Sequence, residues 1–287
     1  MTFSTLIDSL AVRELAGRPE AAVIDCRFDL INSEGGRRAY LKGHIPGARY
    51  ADLNRDLSAP VSAGSGRHPL PLPTNFAATV DRLGIGNATQ VIAYDDAGGS
   101  FAARLWWLLR WLGHGSVAVL DGGIKAWTAA GGTLDSGEEK PLPKETAGGR
   151  VLPRADSAAV IDTGDIAAFL ADPGNLLVDA RAAERFAGSV EPIDAVTGHI
   201  AGAVNHPFSA NLAPDGRFLP ASELRRLWNS RLAGRQAAHL AAMCGSGVTA
   251  CHNLLSLEVA GLSGAKLYAG SWSEWITDPN RPVARGA

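Results

Sequence analysis

The feature that most constrains the fold of this 287-residue chain is an internal repeat. Val178-Asp179-Ala180-Arg181 answers Ile24-Asp25-Cys26-Arg27, and the turn Gly198-His199-Ile200-Ala201-Gly202-Ala203 answers Gly43-His44-Ile45-Pro46-Gly47-Ala48. Lys266 to Gly270 answers Ala118 to Gly122, with Trp275 falling on Trp127. The first residues of these three pairs are 154, 155 and 148 positions apart. Two copies of one domain that differ by short insertions account for such offsets.

Within the first copy, short apolar runs alternate with helical spacing. Leu6 to Leu15 is helical in pattern, and Ala22 to Asp25 is a short strand. Phe76 to Leu83 is a helix stopped by Gly84, Val91 to Tyr94 a buried strand, Phe101 to Leu112 an apolar helix, and Val117 to Leu120 a further strand. Strands alternating with helices predict an α/β fold in which each domain is a parallel sheet with helices on both faces. Leu134 to Ser157 is rich in Gly, Pro, Glu and Lys without periodicity and reads as an exposed linker. The expected organisation is a domain over 1–133, a linker over 134–157 and a second domain over 158–287.

Composition removes several function classes. A net charge of -2 gives no general pull toward nucleic acid or anionic lipid, and no apolar run reaches membrane length. Neither partner is expected. Met1 to Leu15 has no basic segment followed by a continuous apolar one, so no signal peptide is expected. The three cysteines, Cys26, Cys244 and Cys251, are too few for a disulfide framework and form no CxxC pair that would suggest zinc. A reducing cytoplasm fits that usage and would keep Cys244 as a thiol.

Cys244 is the residue most suited to chemistry. The apolar run His239 to Met243 ends at it, Gly245-Ser246-Gly247 turns the chain, and helical spacing begins at about Thr249. A thiol where a strand opens into a helix faces backbone N–H groups and the positive end of the helix dipole, which favour the nucleophilic thiolate. At the offset of 148 the first copy places Asp96 on Cys244, and an aspartate carries no sulfur. Only the second copy is expected to be chemically active, the first serving as scaffold and as one wall of a cleft. Cys251, inside the helix, and Cys26 read as inert core thiols. Most of the tryptophans read as core too, with Trp272 and Trp275 as candidate pocket walls. His44 and His199 recur in both copies and read as structural turn residues, and Arg27 and Arg181 as a repeated structural ion pair.

Tandem domains, paired Gly-His-Ile-x-Gly-Ala turns and a single Cys244-Gly245-Ser246-Gly247-Val248-Thr249 loop resemble the two-domain rhodanese-like sulfurtransferases, over about Leu6 to Trp275. The loop is most similar to that of the family's mercaptopyruvate branch. The thiosulfate branch carries cations at the places of Gly245 and Ser246. The resemblance implies a ping-pong reaction: Cys244 takes a sulfur atom as a persulfide and passes it to an acceptor such as thioredoxin, a small thiol or cyanide. It implies no cofactor and no metal. Gly245, Gly247, Val248 and Thr249 would cradle the sulfur with their backbone, and Arg185 would bind the carboxylate of a small-molecule donor, 3-mercaptopyruvate. The plain alternative pairs Arg185 with Glu184 or Glu191. His68, in Arg67-His68-Pro69-Leu70-Pro71, would face Ser246 across the cleft and relay a proton with it. The third, acidic position of that set falls on Asn54, flanked by Asp52 and Asp56. Where the branch has a second arginine, nine residues after the first, this chain has Asp194, which leaves Arg67 as a candidate further cation and thiosulfate as the alternative donor. A cysteine phosphatase of similar fold would need an arginine at position 250, which is Ala250. A non-catalytic binding module would be expected to lack Cys244.

Overall fold

The computed structural model of the protein describes residues 2–138 and 149–286. They form two compact units. The first contains β1 (Leu6–Ile7), α1 (Ser9–Leu15), β2 (Ala21–Asp25), α2 (Gly35–Lys42), β3 (Arg49–Tyr50), α3 (Pro73–Arg82), β4 (Gln90–Tyr94), α4 (Ala102–Trp111), β5 (Val117–Leu120) and α5 (Gly123–Ala129). Its five strands form one parallel sheet in the order β1-β5-β4-β2-β3. Leu6 and Ile7, expected at the start of a helix, are instead the edge strand β1, paired with Val119 and Leu120. The helix begins only after Asp8, whose carboxylate accepts the Ala11 N–H at 2.8 Å as an N-cap.

The second unit contains α6 (Ile166–Ala171), β6 (Leu176–Asp179), α7 (Ala183–Ala187), β7 (His199–Ile200), β8 (Val204–Asn205), α8 (Ala221–Leu232), β9 (Leu240–Met243), α9 (Thr249–Val259), β10 (Lys266–Leu267), α10 (Ser271–Trp275) and β11 (Val283–Ala284). The parallel order β10-β9-β6-β8 repeats β5-β4-β2-β3. β11 and β7 form a separate antiparallel pair that answers the single His44–Asp135 bridge of the first unit. Each unit has its own apolar core, around Ile92, Tyr94 and Trp127 in the first and around Met243, Tyr268 and Trp272 in the second. No helix among the described residues is long and apolar enough to cross a membrane.

The repeated sequence elements meet in space for one physical reason. Arg27 lies against Asp25 at the end of β2 and donates from Nη2 to the Gly43 carbonyl of the Gly-His-Ile turn at 2.7 Å. Arg181 makes the same fork with Asp179 and reaches the Gly198 carbonyl at 2.8 Å. Both aspartates are fully buried, so each needs its guanidinium. The turn histidines are equally structural: His44 stacks on Tyr40 and His199 on Phe186, each with Nδ1 against its ring partner's carbonyl.

Two segments depart from the order of the sequence. Pro60–Leu70, expected within the first domain, groups with the second unit, and Pro214–Arg217 groups with the first. Part of the expected linker, residues 139–148, lies outside the described residues. Its flanks are not free chain. Asp135 bridges His44, Arg150 bridges Gly86, Val151 is buried, and the Asp156 N–H donates to the Trp111 carbonyl at 3.0 Å. Those backbone pairings tie the flanks to the first unit in spite of their polar composition.

Candidate active site

Strand register identifies the counterpart of the cysteine. Met243 pairs with Asp179 in the second sheet as Tyr94 pairs with Asp25 in the first. The next residues, Cys244 and Asp95, therefore correspond. Trp272 N–H donates to the Cys244 carbonyl as Ile124 N–H does to that of Asp95. The expected counterpart, Asp96, is one position off. The offset is 149 at β9 and 148 at β10, because the second copy has one residue fewer between those two strands. The first-copy loop is itself informative. The fully buried Asp95 carboxylate accepts N–H groups from Ala97, Gly99, Phe101 and Ala102 at 2.8–2.9 Å. In the first unit the chain leaving the central strand folds around this carboxyl group, whose pKa burial raises against the pull of the four N–H groups.

In the second unit that place belongs to the Cys244 sulfur, 3 % exposed as a residue. Ser246 N–H donates to Sγ at 3.4 Å. The turn that allows this needs Gly247, at φ 76°, where a Cβ would lie 2.4 Å from the Ala269 carbonyl oxygen. Val248 caps α9 and Thr249 opens it. The start of α10 fixes the loop from the other side: Trp272 and Ser273 N–H donate to the Cys244 and Gly245 carbonyls at 3.0 and 2.9 Å. Ser271 Oγ accepts the Cys244 N–H at 3.0 Å. Ser271 holds a left-handed φ of 54°, where the first copy has Gly123 at 59°. A serine tolerated there in place of glycine stores backbone strain at the site. Ser271 is a site residue that the sequence marks only by a serine aligned with a glycine at a turn.

The expected residues from elsewhere in the chain converge on this loop. His68 Nδ1 lies 2.7 Å from Ser246 Oγ, and both residues are buried. Because Pro60–Leu70 groups with the second unit, this contact lies within one unit. Arg67 N–H donates to Ser273 Oγ at 3.0 Å, so α10 anchors this segment as well as the cysteine loop. Of the acidic positions considered beside His68, Asp52 accepts the Asn54 and Arg55 N–H groups, and Asp56 accepts the Asp52 N–H and pairs with Arg82. Those bonds give both carboxylates local, turn-forming work.

Arg185 is held by acidic neighbours and faces the cysteine loop. Its Nε and Nη2 fork onto Glu191 at 2.7–3.2 Å, a buried pairing rather than a surface one, and Nη2 also reaches Asp194 at 3.0 Å. Arg67 Nη1 pairs with the other oxygen of Asp194. Both guanidiniums stand over Gly245: a Cβ there would come within 2.9 Å of Arg67 Nη2 and 3.6 Å of Arg185 Nη1. Burial, opposed by the hydrogen bonds of Arg185 and of the Asp194 and Ile193 N–H groups, leaves Glu191 below its usual pKa. At Asp194 burial outweighs the pull of Arg67, and its pKa is raised.

The other candidates are core. Trp272 is fully buried under the Arg181 guanidinium, 4.7 Å from the ring centre, and its indole donates to the Val196 carbonyl. Trp275 donates to the Pro282 carbonyl. All three cysteines are free thiols. Burial first, then the charges of Asp25, Asp95 and Asp56, push the Cys26 thiol well above the usual range, which suits an inert residue. Cys251 is buried within α9, with Sγ against the Gly247 carbonyl.

Comparison with known proteins agrees with this architecture. The model of the rhodanese-like domain matches residues 10–130 and again 162–278. A Pseudomonas aeruginosa protein named a probable 3-mercaptopyruvate sulfurtransferase is 51 % identical over 96 % of this chain and 98 % of its own length. A Mycobacterium tuberculosis relative that carries a thiosulfate sulfurtransferase name is 41 % identical, over 96 % of each chain. Among solved structures, the 3-mercaptopyruvate sulfurtransferase from Leishmania major superposes with a TM-score of 0.83 at 33 % identity, over 97 % of this chain and 75 % of that one. Two parallel-sheet units, each matched by the same domain model, and a cysteine loop in the second place this chain in the family of two-domain rhodanese-like sulfurtransferases.

Proposed function

We propose that the protein moves a sulfane sulfur from 3-mercaptopyruvate, through a persulfide on Cys244, to a thiol or cyanide acceptor, and releases pyruvate. The observation that carries this reading is Ser246, whose N–H touches the Cys244 sulfur while its Oγ touches buried His68. The Cys244 thiolate attacks the donor's sulfur. An S–S bond forms, the donor's C–S bond breaks, and its electron pair leaves as the enolate of pyruvate. That enolate must gain a proton at carbon, and a Ser–His pair beside the sulfur is placed to deliver it. Sulfite, the leaving group of thiosulfate, needs no such proton. In the second half-reaction an acceptor thiolate or cyanide takes the outer sulfur and Cys244 leaves as thiolate. The loop from Gly245 to Thr249 holds the sulfur, and Arg185 with Arg67 binds the donor's carboxylate over Gly245. A reducing cytoplasm would keep Cys244 ready for the cycle.

The direct test is kcat/KM with 3-mercaptopyruvate and with thiosulfate, using one acceptor and one preparation, with Cys244→Ser as blank. The reading requires a strong preference for mercaptopyruvate and an inactive blank. A preference for thiosulfate would move the donor assignment to the other branch.

A further inference from the structure

The two arginines over Gly245 come from distant parts of the sequence, and one buried carboxylate joins them. Asp194 gives one oxygen to Arg67 Nη1 and the other to Arg185 Nη2. Each guanidinium thereby keeps one terminal nitrogen, Arg67 Nη2 and Arg185 Nη1, that bonds no described residue, and both nitrogens lie beside Gly245. Two like charges aimed at one point repel, and a carboxylate between them offsets the repulsion. Asp194 is itself immobilised. Its side chain is 4 % exposed, and its N–H donates to Glu191 Oε1 at 3.1 Å. Glu191, with no side-chain exposure, also accepts from Arg181 and Arg185. A group so buried and so pinned is built as a fixture and does not suit a flap that leaves when a donor arrives.

We infer that Asp194 is a positioning residue that docks Arg67 into the donor site, making Arg67 the second carboxylate-binding cation of this enzyme. The donor's carboxylate then takes one N–H from each guanidinium, from the two nitrogens that face Gly245. This arrangement turns the presence of an acid at position 194 from a loss of binding power into the means of recruiting an arginine from the Pro60–Leu70 segment. The inference rests on the donor being 3-mercaptopyruvate.

The test is a cycle of steady-state measurements with 3-mercaptopyruvate on wild type, Arg67→Ala, Asp194→Asn and the double variant. Each single variant is expected to raise the donor KM by roughly tenfold or more with a smaller change in kcat, as for loss of one partner of a charge-assisted contact. The double variant is expected to be no worse than Arg67→Ala alone, because the two residues act as one unit. Adding Asp194→Arg to Arg67→Ala, which returns a cation from the other side, is expected to recover donor binding. Arg67→Lys keeps the charge without the fork and should fall between wild type and Arg67→Ala, which keeps the cycle usable if the alanine variant does not fold. A lower KM in Asp194→Asn would mean that Asp194 competes with the donor, and an unchanged KM in Arg67→Ala would remove Arg67 from the site. Either result overturns the inference. Failure of wild type to turn over 3-mercaptopyruvate, measured before any variant, would instead overturn the donor reading on which it rests.

Discussion

At the scale of single residues, the site is built from groups that lie far apart in sequence and do one thing each. Cys244 and its glycine turn were legible because a strand, a thiol and two glycines in succession have few other uses. The 2.7 Å approach of His68 to Ser246 was not legible from spacing, since 178 residues separate them. It was reached only through resemblance. The acid at position 194 was noticed as a departure, but its use depends on two side-chain directions that a sequence does not carry. If the Ser–His pair serves protonation of the leaving enolate, its loss must depend on the donor. His68→Gln and Ser246→Ala are each expected to lower kcat with 3-mercaptopyruvate by on the order of 10²–10³ and to leave turnover of thiosulfate largely unchanged. Equal losses with both donors would show that the pair only holds the loop in shape.

At the scale of elements, β9 and the start of α10 hold the thiol loop while α7 and the turn after it hold the cations. The strands and most helices followed from apolar spacing. β1 did not, because two residues are too few to display a period and only the Asp8 cap separates them from α1. Glu191 is the keystone of the cationic side, accepting from Arg181, Arg185 and the N–H groups of Ile193 and Asp194. It ionises below its usual pKa in the folded protein. Such a group contributes stability above its unfolded pKa and loses it as pH falls through the folded value. Glu191→Gln is therefore expected to cost about 1–3 kcal/mol at neutral pH. The gap in Tm to wild type should close as the pH drops below the usual carboxylate range. A gap that stays constant with pH would mean that packing, and not charge, is what Glu191 supplies.

At the scale of the whole molecule, one domain has been used twice, with Cys244 in the second copy where the first has Asp95 at the end of the central strand. The repeat was plain in the sequence because the Asp–Arg fork and the Gly-His-Ile turn are tied together in each copy by the same buried ion pair. The pairing of Cys244 with Asp95 needed the strand register. The regrouping of Pro60–Leu70 with the second unit needed the fold itself. In the first copy the loop wraps the carboxyl group of Asp95, and in the second it wraps the Cys244 sulfur. Each chain is thus expected to carry one transferable sulfur, on Cys244. The most direct measurement is the intact and peptide mass of the protein after exposure to 3-mercaptopyruvate without acceptor, with released pyruvate counted alongside. One added sulfur, located on the Cys244 peptide, and one pyruvate per chain are expected, and neither in Cys244→Ser. Pyruvate release with no sulfur on Cys244, or an added sulfur on Cys26 or Cys251, would contradict it.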